Sequence, residues 1–337
     1  MQTKTSNKTK SDSAKDNAAA DQGKTQNNTL SITLPTGRIK EKVFSLLTKV
    51  GISYRENDRN YRPRASDPTL ATKLIKSQNI PKLVELGRHD CGFSGYDWIV
   101  EQKADVIELL DLGFDPVKIV AALPEGQSIE ALKKQGRKVV VASEYRRLSE
   151  MFIEKNGLDA IFLRAFGATE ALPPEDADII VDNTATGDTL KANRLDIVDE
   201  VLTSTTRFIC SRAAFEDPVK REKLLEMTML MKSTLQAKAR VLLEMNVEAD
   251  ALDELVANIP AMRSPTISRL YKDDAYAVKI AVRQDEVAEL IPKLVKLGAR
   301  DILEYRVDKI VDEASTDIPK ELPKDICEKL EKQSKVC

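Results

Sequence analysis

The sequence predicts an α/β protein with a two-lobed core and a separate C-terminal module. Three observations carry this. Short apolar strands alternate with amphipathic helices from Leu30 to about residue 210, the pattern of an α/β sheet with mostly parallel strands. The pattern restarts after Pro124, which divides the core into two lobes. Beyond residue 239 the order changes to βαββαβ, that of a ferredoxin-like module with its own apolar pattern.

The elements follow in order. Residues 1–29 are rich in Lys, Asn, Ser, Thr, Gln and Ala and lack large aliphatics after Met1. They cannot bury a core and form a solvated, disordered tail. They carry no apolar stretch for a secretory signal, and Asp12, Asp16 and Asp21 with no arginine speak against a transit peptide. Ser31 to Leu34 alternates as a strand, 35–38 turns, and 39–50 is a helix with apolar Val43, Leu46, Leu47 and Val50, capped by Gly51. Residues 53–70 are polar, and Leu74-Ile75 is a short apolar patch. A helix starts at Pro81 and ends at Gly87. Asp90 to Phe93 is a buried strand turning into a helix at 97–103, and Val106 to Leu112 and Lys118 to Leu123 are strands. In the second lobe, Lys138 to Ala142, Ala160 to Arg164 and Ile179 to Val181 are strands, with a helix at 144–156 and a turn toward a short helix at 168–171. Arg207 to Cys210 is a strand and 216–243 one long helix. The module comprises strands 239–246, 264–270, 276–282 and 301–307 with helices 248–258 and 284–297. Residues 313–337 form a charged tail.

Composition narrows the function classes. The apolar share of 42% and charged share of 31% are those of a globular protein. A formal net charge of -2 gives no electrostatic reason to expect nucleic acid or membrane as partner. No apolar run approaches the ~20 residues that span a bilayer. Cys91, Cys210, Cys327 and Cys337 show no metal-ligand spacing and fit a reducing cytoplasm. His89, beside Asp90, is the single histidine and reads as a loop residue. Any chemistry here needs little general base.

The most informative stretch is 178–190. The strand Ile179 to Val181 ends on Asp182, and a loop of small residues follows with Thr184, Thr186, Gly187 and Thr189. Such a loop directs backbone N–H groups and hydroxyls inward, which makes a phosphate cradle. An acid at its entrance suits the vicinal hydroxyls of a sugar, so the two together suggest a phosphorylated ribose.

Four segments in order resemble one family, ATP phosphoribosyltransferase of the long form, the first enzyme of histidine biosynthesis. Leu34-Pro35-Thr36-Gly37-Arg38 is similar to the family's Leu-Pro-Lys-Gly-Arg turn. Asn79-Ile80-Pro81 with residues 90–97 is similar to its Asp-Ile-Pro and Asp-Leu-Gly-Ile-Thr-Gly-x-Asp block. Gly167-Ala168-Thr169-Glu170 resembles Gly-Ala-Val-Glu, and Asp182 to Leu190 resembles the phosphoribosyl pyrophosphate loop. The resemblance covers roughly residues 30–310. Thr36 stands where the family carries lysine, Asn79 where it carries Asp, and Asp188 sits within the phosphate loop; Asp188 must point outward or meet a magnesium ion or the other lobe.

The resemblance implies a periplasmic-binding-protein-like catalytic core and a ferredoxin-like regulatory domain. It implies lobe I at 30–123 and 205–236, lobe II at 124–204 and the regulatory domain at 237–312. It also implies transfer of phosphoribose from phosphoribosyl pyrophosphate to an adenine ring nitrogen of ATP, a nucleophile that needs no prior deprotonation. Asp182, Thr184, Ala185, Thr186, Gly187, Asp188 and Thr189 would bind phosphoribosyl pyrophosphate, and Arg38, Lys76, Gly92 and Gly95 would meet ATP or pyrophosphate. Arg38, Glu170 and Asp182 are the catalytic candidates. Asp97 would cap its helix, and Tyr96-Asp97-Trp98 would pack in core or hinge. Mg²⁺ is the expected cofactor, its ligands undefined. Histidine would inhibit through Asn246, Ser264, Thr266 and Ala299, binding between subunits and stabilising a hexamer. The rival reading is a two-lobed small-molecule sensor or a catalytically inactive regulatory subunit on the same fold.

Overall fold

The computed structural model describes residues 29–55, 60–260, 264–312, 322, 324 and 326. The tail expected at 1–29, Thr29 apart, and most of that at 313–337 lie outside the described residues.

The chain opens with β1 (Leu30–Thr36), α1 (Lys40–Lys49), the short hairpin β2 (Tyr54–Arg55) and β3 (Arg64–Ala65), and β4 (Leu70–Lys76). Then come α2 (Ile80–Glu85), β5 (Cys91–Gly95), α3 (Tyr96–Gln102) and β6 (Ile107–Asp111). The second lobe begins at β7 (Val117–Pro124), not after Pro124 as the sequence pattern suggests, because β7 pairs with β10 and β11; it also holds α4 (Ile129–Lys134), β8 (Val139–Ser143), α5 (Arg146–Asn156), β9 (Ala160–Arg164), β10 (Ile179–Thr184), α6 (Asp188–Ala192) and β11 (Leu195–Ser204). The chain then makes β12 (Thr206–Cys210), α7 (Arg212–Glu216) and α8 (Pro218–Lys238).

Two five-stranded sheets result, ordered β4-β1-β5-β12-β6 and β11-β7-β10-β8-β9. Each is half parallel rather than mostly parallel. The reason is the double crossing between lobes. β7 and β12 begin at the cleft, at Val117 and Thr206, and run away from it, whereas β5 and β11 end there at Gly95 and Ser204. A strand entering from the cleft is therefore antiparallel to its neighbours.

Leu30, Ile32 and Leu34 of β1 pack on Val43, Leu46 and Leu47 of α1, and Leu224, Met227 and Met231 of α8 join that core. β12 and α8 thus return the chain to the first sheet. Leu322 and Ile326 also pack there. The second core sets Ile119, Ala121, Val141, Ile179 and Val181 against Leu148 and Phe152 of α5.

The long helix expected at 216–243 is α8, which ends at Lys238 and gives way to β13 at Arg240, and a short helix that was not expected, α7, precedes it. Asp217 ends α7 and caps α8, its carboxylate accepting from the Val219 and Lys220 amides, with Pro218 in the first turn. The mixed apolar and acidic stretch at 195–204 is an edge strand, β11, which the sequence reading does not assign.

The last module is β13 (Arg240–Glu248), α9 (Leu252–Asn258), β14 (Thr266–Arg269), β15 (Ala275–Arg283), α10 (Val287–Lys296) and β16 (Arg300–Arg306). It is the expected βαββαβ order, as an antiparallel sheet β14-β15-β13-β16. Val241, Leu243, Met245 and Val247 alternate onto the helix side with Leu255, Leu290 and Leu294. No described helix is long and apolar enough to cross a membrane.

Candidate active site

The two sheets face each other across a cleft holding two adjoining cavities. The larger, about 400 Å³, is walled by Asp182, Thr184, Ala185, Thr186 and Thr189, with Glu144, Thr169 and Glu170 beside them and Arg38 from the other lobe. The smaller, about 230 Å³, lies toward the crossing strands and is lined by Thr36, Gly95, Asp97, Trp98, Tyr145 and Ser204 among others. Arg38, Glu144 and Asn183 border both.

The loop closes differently from the sequence expectation. Strand β10 runs on through Asp182 to Thr184, so the loop proper is Ala185 to Gly187. Gly187 adopts φ +85, a conformation that favours glycine. Its amide donates to the Thr184 hydroxyl at 2.9 Å, and the Asp188 amide reaches the Thr186 hydroxyl at 3.4 Å. Two of the amides expected to face an anion are thus held inside the loop. Asp188 is exposed and does not line the cleft; it accepts from the Thr186 hydroxyl at 2.8 Å. The acid among the anion-binding groups therefore points outward.

Burial pushes the Asp182 carboxyl above the usual range; its bond from the Asn183 amide, 2.6 Å, opposes the shift, and Glu170 and Glu144 add to it. Glu170 is carried on a short 3-10 helix after Gly167 and Ala168, both at positive φ. Glu144 accepts from the Gly167 amide at 2.8 Å and so fixes the turn that presents Glu170. Among the described residues no group of three His, Cys or carboxylate side chains converges tightly enough to hold a metal. The acids of the cleft fit a hydrated Mg²⁺ carried largely by substrate oxygens rather than an all-protein cage.

Arg38 lies 3.9 Å from Asp115, which also pairs with Lys42 at 3.0 Å. Lys76 is exposed at the end of β4 and does not line either cavity, though Ser77 and Gln78 beside it do. Gly92 does not line the cleft; a Cβ there would sit 2.0 Å from Thr33 Oγ1 and 2.7 Å from Ile80 Cγ2. Side-chain packing accounts for it. Gly95 does line the cleft, and a Cβ there would meet Asp97 Oδ1 at 2.2 Å.

Asp97 does not cap α3. It is buried at 5% exposure and accepts from Ser204 Oγ at 2.6 Å and from Tyr145 Oη at 2.8 Å, joining the two lobes. Trp98 stacks on Tyr145 with centroids 4.5 Å apart, as hinge packing. Glu101 accepts from the Arg147 and Leu148 amides, both at 3.1 Å, capping α5 from the opposite lobe. Sequence reasoning missed Asn183, Glu144 and Tyr145; Glu144 directly follows the end of β8, and Asn183 is the neighbour of Asp182, which were the available signals. His89 sits away from the cleft, its Nδ1 2.8 Å from Ser31 Oγ.

In the C-terminal module, Asn246 lies on the sheet face away from the helices and donates to Asp301 at 3.1 Å. Ser264 and Thr266 are exposed. Ala299 is fully buried among the apolar residues of the helix side, so its side chain does not join the other three.

A two-lobed α/β core with a hydroxyl- and acid-lined interlobe cleft, followed by a ferredoxin-like module, defines the class of protein. Comparison with known proteins defines the family. The profile for ATP phosphoribosyltransferase matches residues 76–233, and that for its C-terminal domain matches 237–309. An ATP phosphoribosyltransferase of Pelotomaculum thermopropionicum is 38% identical over 287 residues, 84% of this chain and 99% of the relative. One of Thermodesulfovibrio yellowstonii is 38% identical over 288 residues, 84% and 98% of the two chains. Among solved structures, a chain of the ATP phosphoribosyl transferase (HisG:HisZ) complex from Thermotoga maritima matches with a TM-score of 0.56 at 24% identity, covering 62% of this chain and 99% of that one. That likeness concerns the fold. The chain belongs to the ATP phosphoribosyltransferase family. Activity in this family depends on a divalent metal.

Proposed function

We infer that this chain transfers the phosphoribosyl group of phosphoribosyl pyrophosphate to an adenine ring nitrogen of ATP, giving phosphoribosyl-ATP and pyrophosphate. The observation that carries the reading is the shared cleft wall: Asp182, Thr184, Ala185, Thr186 and Thr189 line one cavity of about 400 Å³ with Arg38 of the other lobe, in a chain of this family.

The chemistry suits the residues. The ring nitrogen attacks with a free lone pair, the bond from the anomeric carbon to pyrophosphate breaks, and pyrophosphate takes the electron pair. No proton has to leave before attack, so the absence of histidine from the cleft is no obstacle. The work is alignment and charge stabilisation. In this reading Thr186 and Thr189 hold the 5-phosphate with the backbone of the loop. Asp182 accepts from ribose hydroxyls, and Glu170 stands beside it. Arg38 approaches the leaving pyrophosphate from the opposite lobe, exchanging its 3.9 Å contact with Asp115 for phosphate oxygens. Lys76, at the cleft margin, adds positive charge. Mg²⁺, when bound, would neutralise charge on pyrophosphate, and Asp182 and Glu170 are the residues that would orient its water.

The C-terminal module is assigned to histidine, acting as feedback inhibitor between subunits of an oligomer, with Asn246, Ser264 and Thr266 as contacts. Inhibition requires that histidine bind the inhibited state more tightly. A cytoplasmic location suits the two free, buried thiols Cys91 and Cys210.

Asp182→Ala and Thr189→Ala test the site. Each should lower the rate of phosphoribosyl-ATP formation by more than about tenfold, the loss of one charge-assisted contact of ~1.4 kcal/mol or more. Turnover like that of the unaltered chain in both variants would refute the assignment.

A further inference from the structure

We propose that Asn183 reads the exocyclic amino group of the adenine ring through its side-chain carbonyl. The proposal rests on the transferase reading above. Its basis is the direction of a hydrogen-bond chain that crosses the cleft.

The chain starts at Asp97. Its carboxylate is buried and accepts from Ser204 on one oxygen and from Tyr145 on the other. The Tyr145 proton is thus committed to Asp97. The phenol oxygen can then only accept from its remaining neighbour, Asn183 Nδ2, at 3.3 Å. The same Nδ2 donates to Asp182 Oδ1 at 3.2 Å. Both acceptors on this side demand the amino end of the amide, which fixes an orientation that a lone Asn would leave open. The carbonyl end is turned away from both, and among the described residues no donor is recorded for it.

Position supplies the rest. Asn183 borders both cavities. With the sugar phosphate on the Thr186–Thr189 wall, the nucleophile enters from the smaller cavity beside Trp98 and Tyr145. The exocyclic amino group is the N–H donor of the adenine ring that the ring's placement must satisfy. A carbonyl acceptor at the junction favours that donor and opposes a 6-oxo purine, whose substituent is itself an acceptor. In this scheme Asn183 is a specificity-determining contact, and Tyr145 is a positioning residue that acts through it.

The test is calorimetric binding of ATP and of purine riboside triphosphate, which lacks the amino group, to the full chain and to Asn183→Leu and Tyr145→Phe. Binding is read directly, so the comparison stands apart from turnover. A chain that makes no phosphoribosyl-ATP contradicts the function and not this contact. The unaltered chain should prefer ATP by about tenfold or more, the scale of one directed hydrogen bond. Asn183→Leu should reduce the preference to within about twofold, and any change in affinity for phosphoribosyl pyrophosphate, whose proposed contact Asp182 loses one hydrogen bond, should be the smaller of the two effects. Tyr145→Phe, which keeps the carbonyl but frees the amide, should give an intermediate ratio. Asn183 is exposed, so its replacement should leave the thermal midpoint in place. An unchanged ratio in Asn183→Leu overturns the proposal. So does a loss that falls on phosphoribosyl pyrophosphate instead, which would mark Asn183 as a ribose contact.

Discussion

Asp182 is held in a state that favours function over stability. Burial raises its carboxyl above the ordinary value of 3.8, and two neighbouring acids reinforce the shift. Below pH 3.8 the residue is protonated in both the folded and the unfolded chain. As pH rises through that value the unfolded chain ionises first, and folded stability falls until pH passes the raised folded value. Asp182→Asn removes this penalty. In thermal melts without ligand the variant should have a higher midpoint than the parent at neutral pH, with the advantage vanishing near pH 3.8, while its turnover is lost. An unchanged or lower midpoint at neutral pH would contradict the strained carboxylate. Asp188 shows the opposite arrangement: exposed and bonded to Thr186, it takes no part in the cleft wall.

At the scale of elements, two helices and a strand position the site through contacts that span the lobes. Residue 145 is a tyrosine and offers α5 no side-chain cap, and Glu101 of α3 supplies it instead. Glu101→Ala should cost about 1–2 kcal/mol, as loss of a cap does, measured by denaturant unfolding. Gly92 separates packing from ligand approach. Gly92→Ala should cost about 1–3 kcal/mol through overpacking against Thr33 and Ile80, with nucleotide affinity of the folded fraction unchanged. A selective loss of ATP binding would return Gly92 to the site. These contacts explain what the sequence could and could not reveal. Asp182 and the Thr-Gly-x-Thr segment were legible because strand end, turn and helix start are local signals. Asp97, Tyr145 and Ser204 were not, because partners 48 and 107 residues apart meet only once the lobes pack. Strand β11 was missed because it is an edge strand without clean alternation: Asp196 and Ile197 are both exposed, and its pairing with β7 shifts register twice. The start of α8 was legible because Asp217-Pro218 is a local helix-start signal, whereas its end at Lys238 was not, because no glycine or proline marks the passage into β13.

At the scale of the whole molecule, a double crossing joins two sheets around one cleft, and a terminal module follows them. The end of the module returns to α8, where the Ile310 amide donates to the Ser233 carbonyl at 3.1 Å and Gln236 donates to Asp312 at 3.2 Å. Histidine bound to the module, as proposed, would therefore bear on the helix that packs beneath the first sheet. Added histidine should lower the initial rate and shift the sedimentation profile to a larger oligomer; a rate indifferent to histidine would remove the regulatory assignment. Catalysis by this chain itself is tested by single-turnover formation of phosphoribosyl-ATP. With enzyme in excess over phosphoribosyl pyrophosphate, and with ATP and Mg²⁺ present, the purified chain should convert the limiting substrate stoichiometrically to phosphoribosyl-ATP and pyrophosphate. Binding of phosphoribosyl pyrophosphate without any product would contradict it and would leave an inactive regulatory subunit in its place.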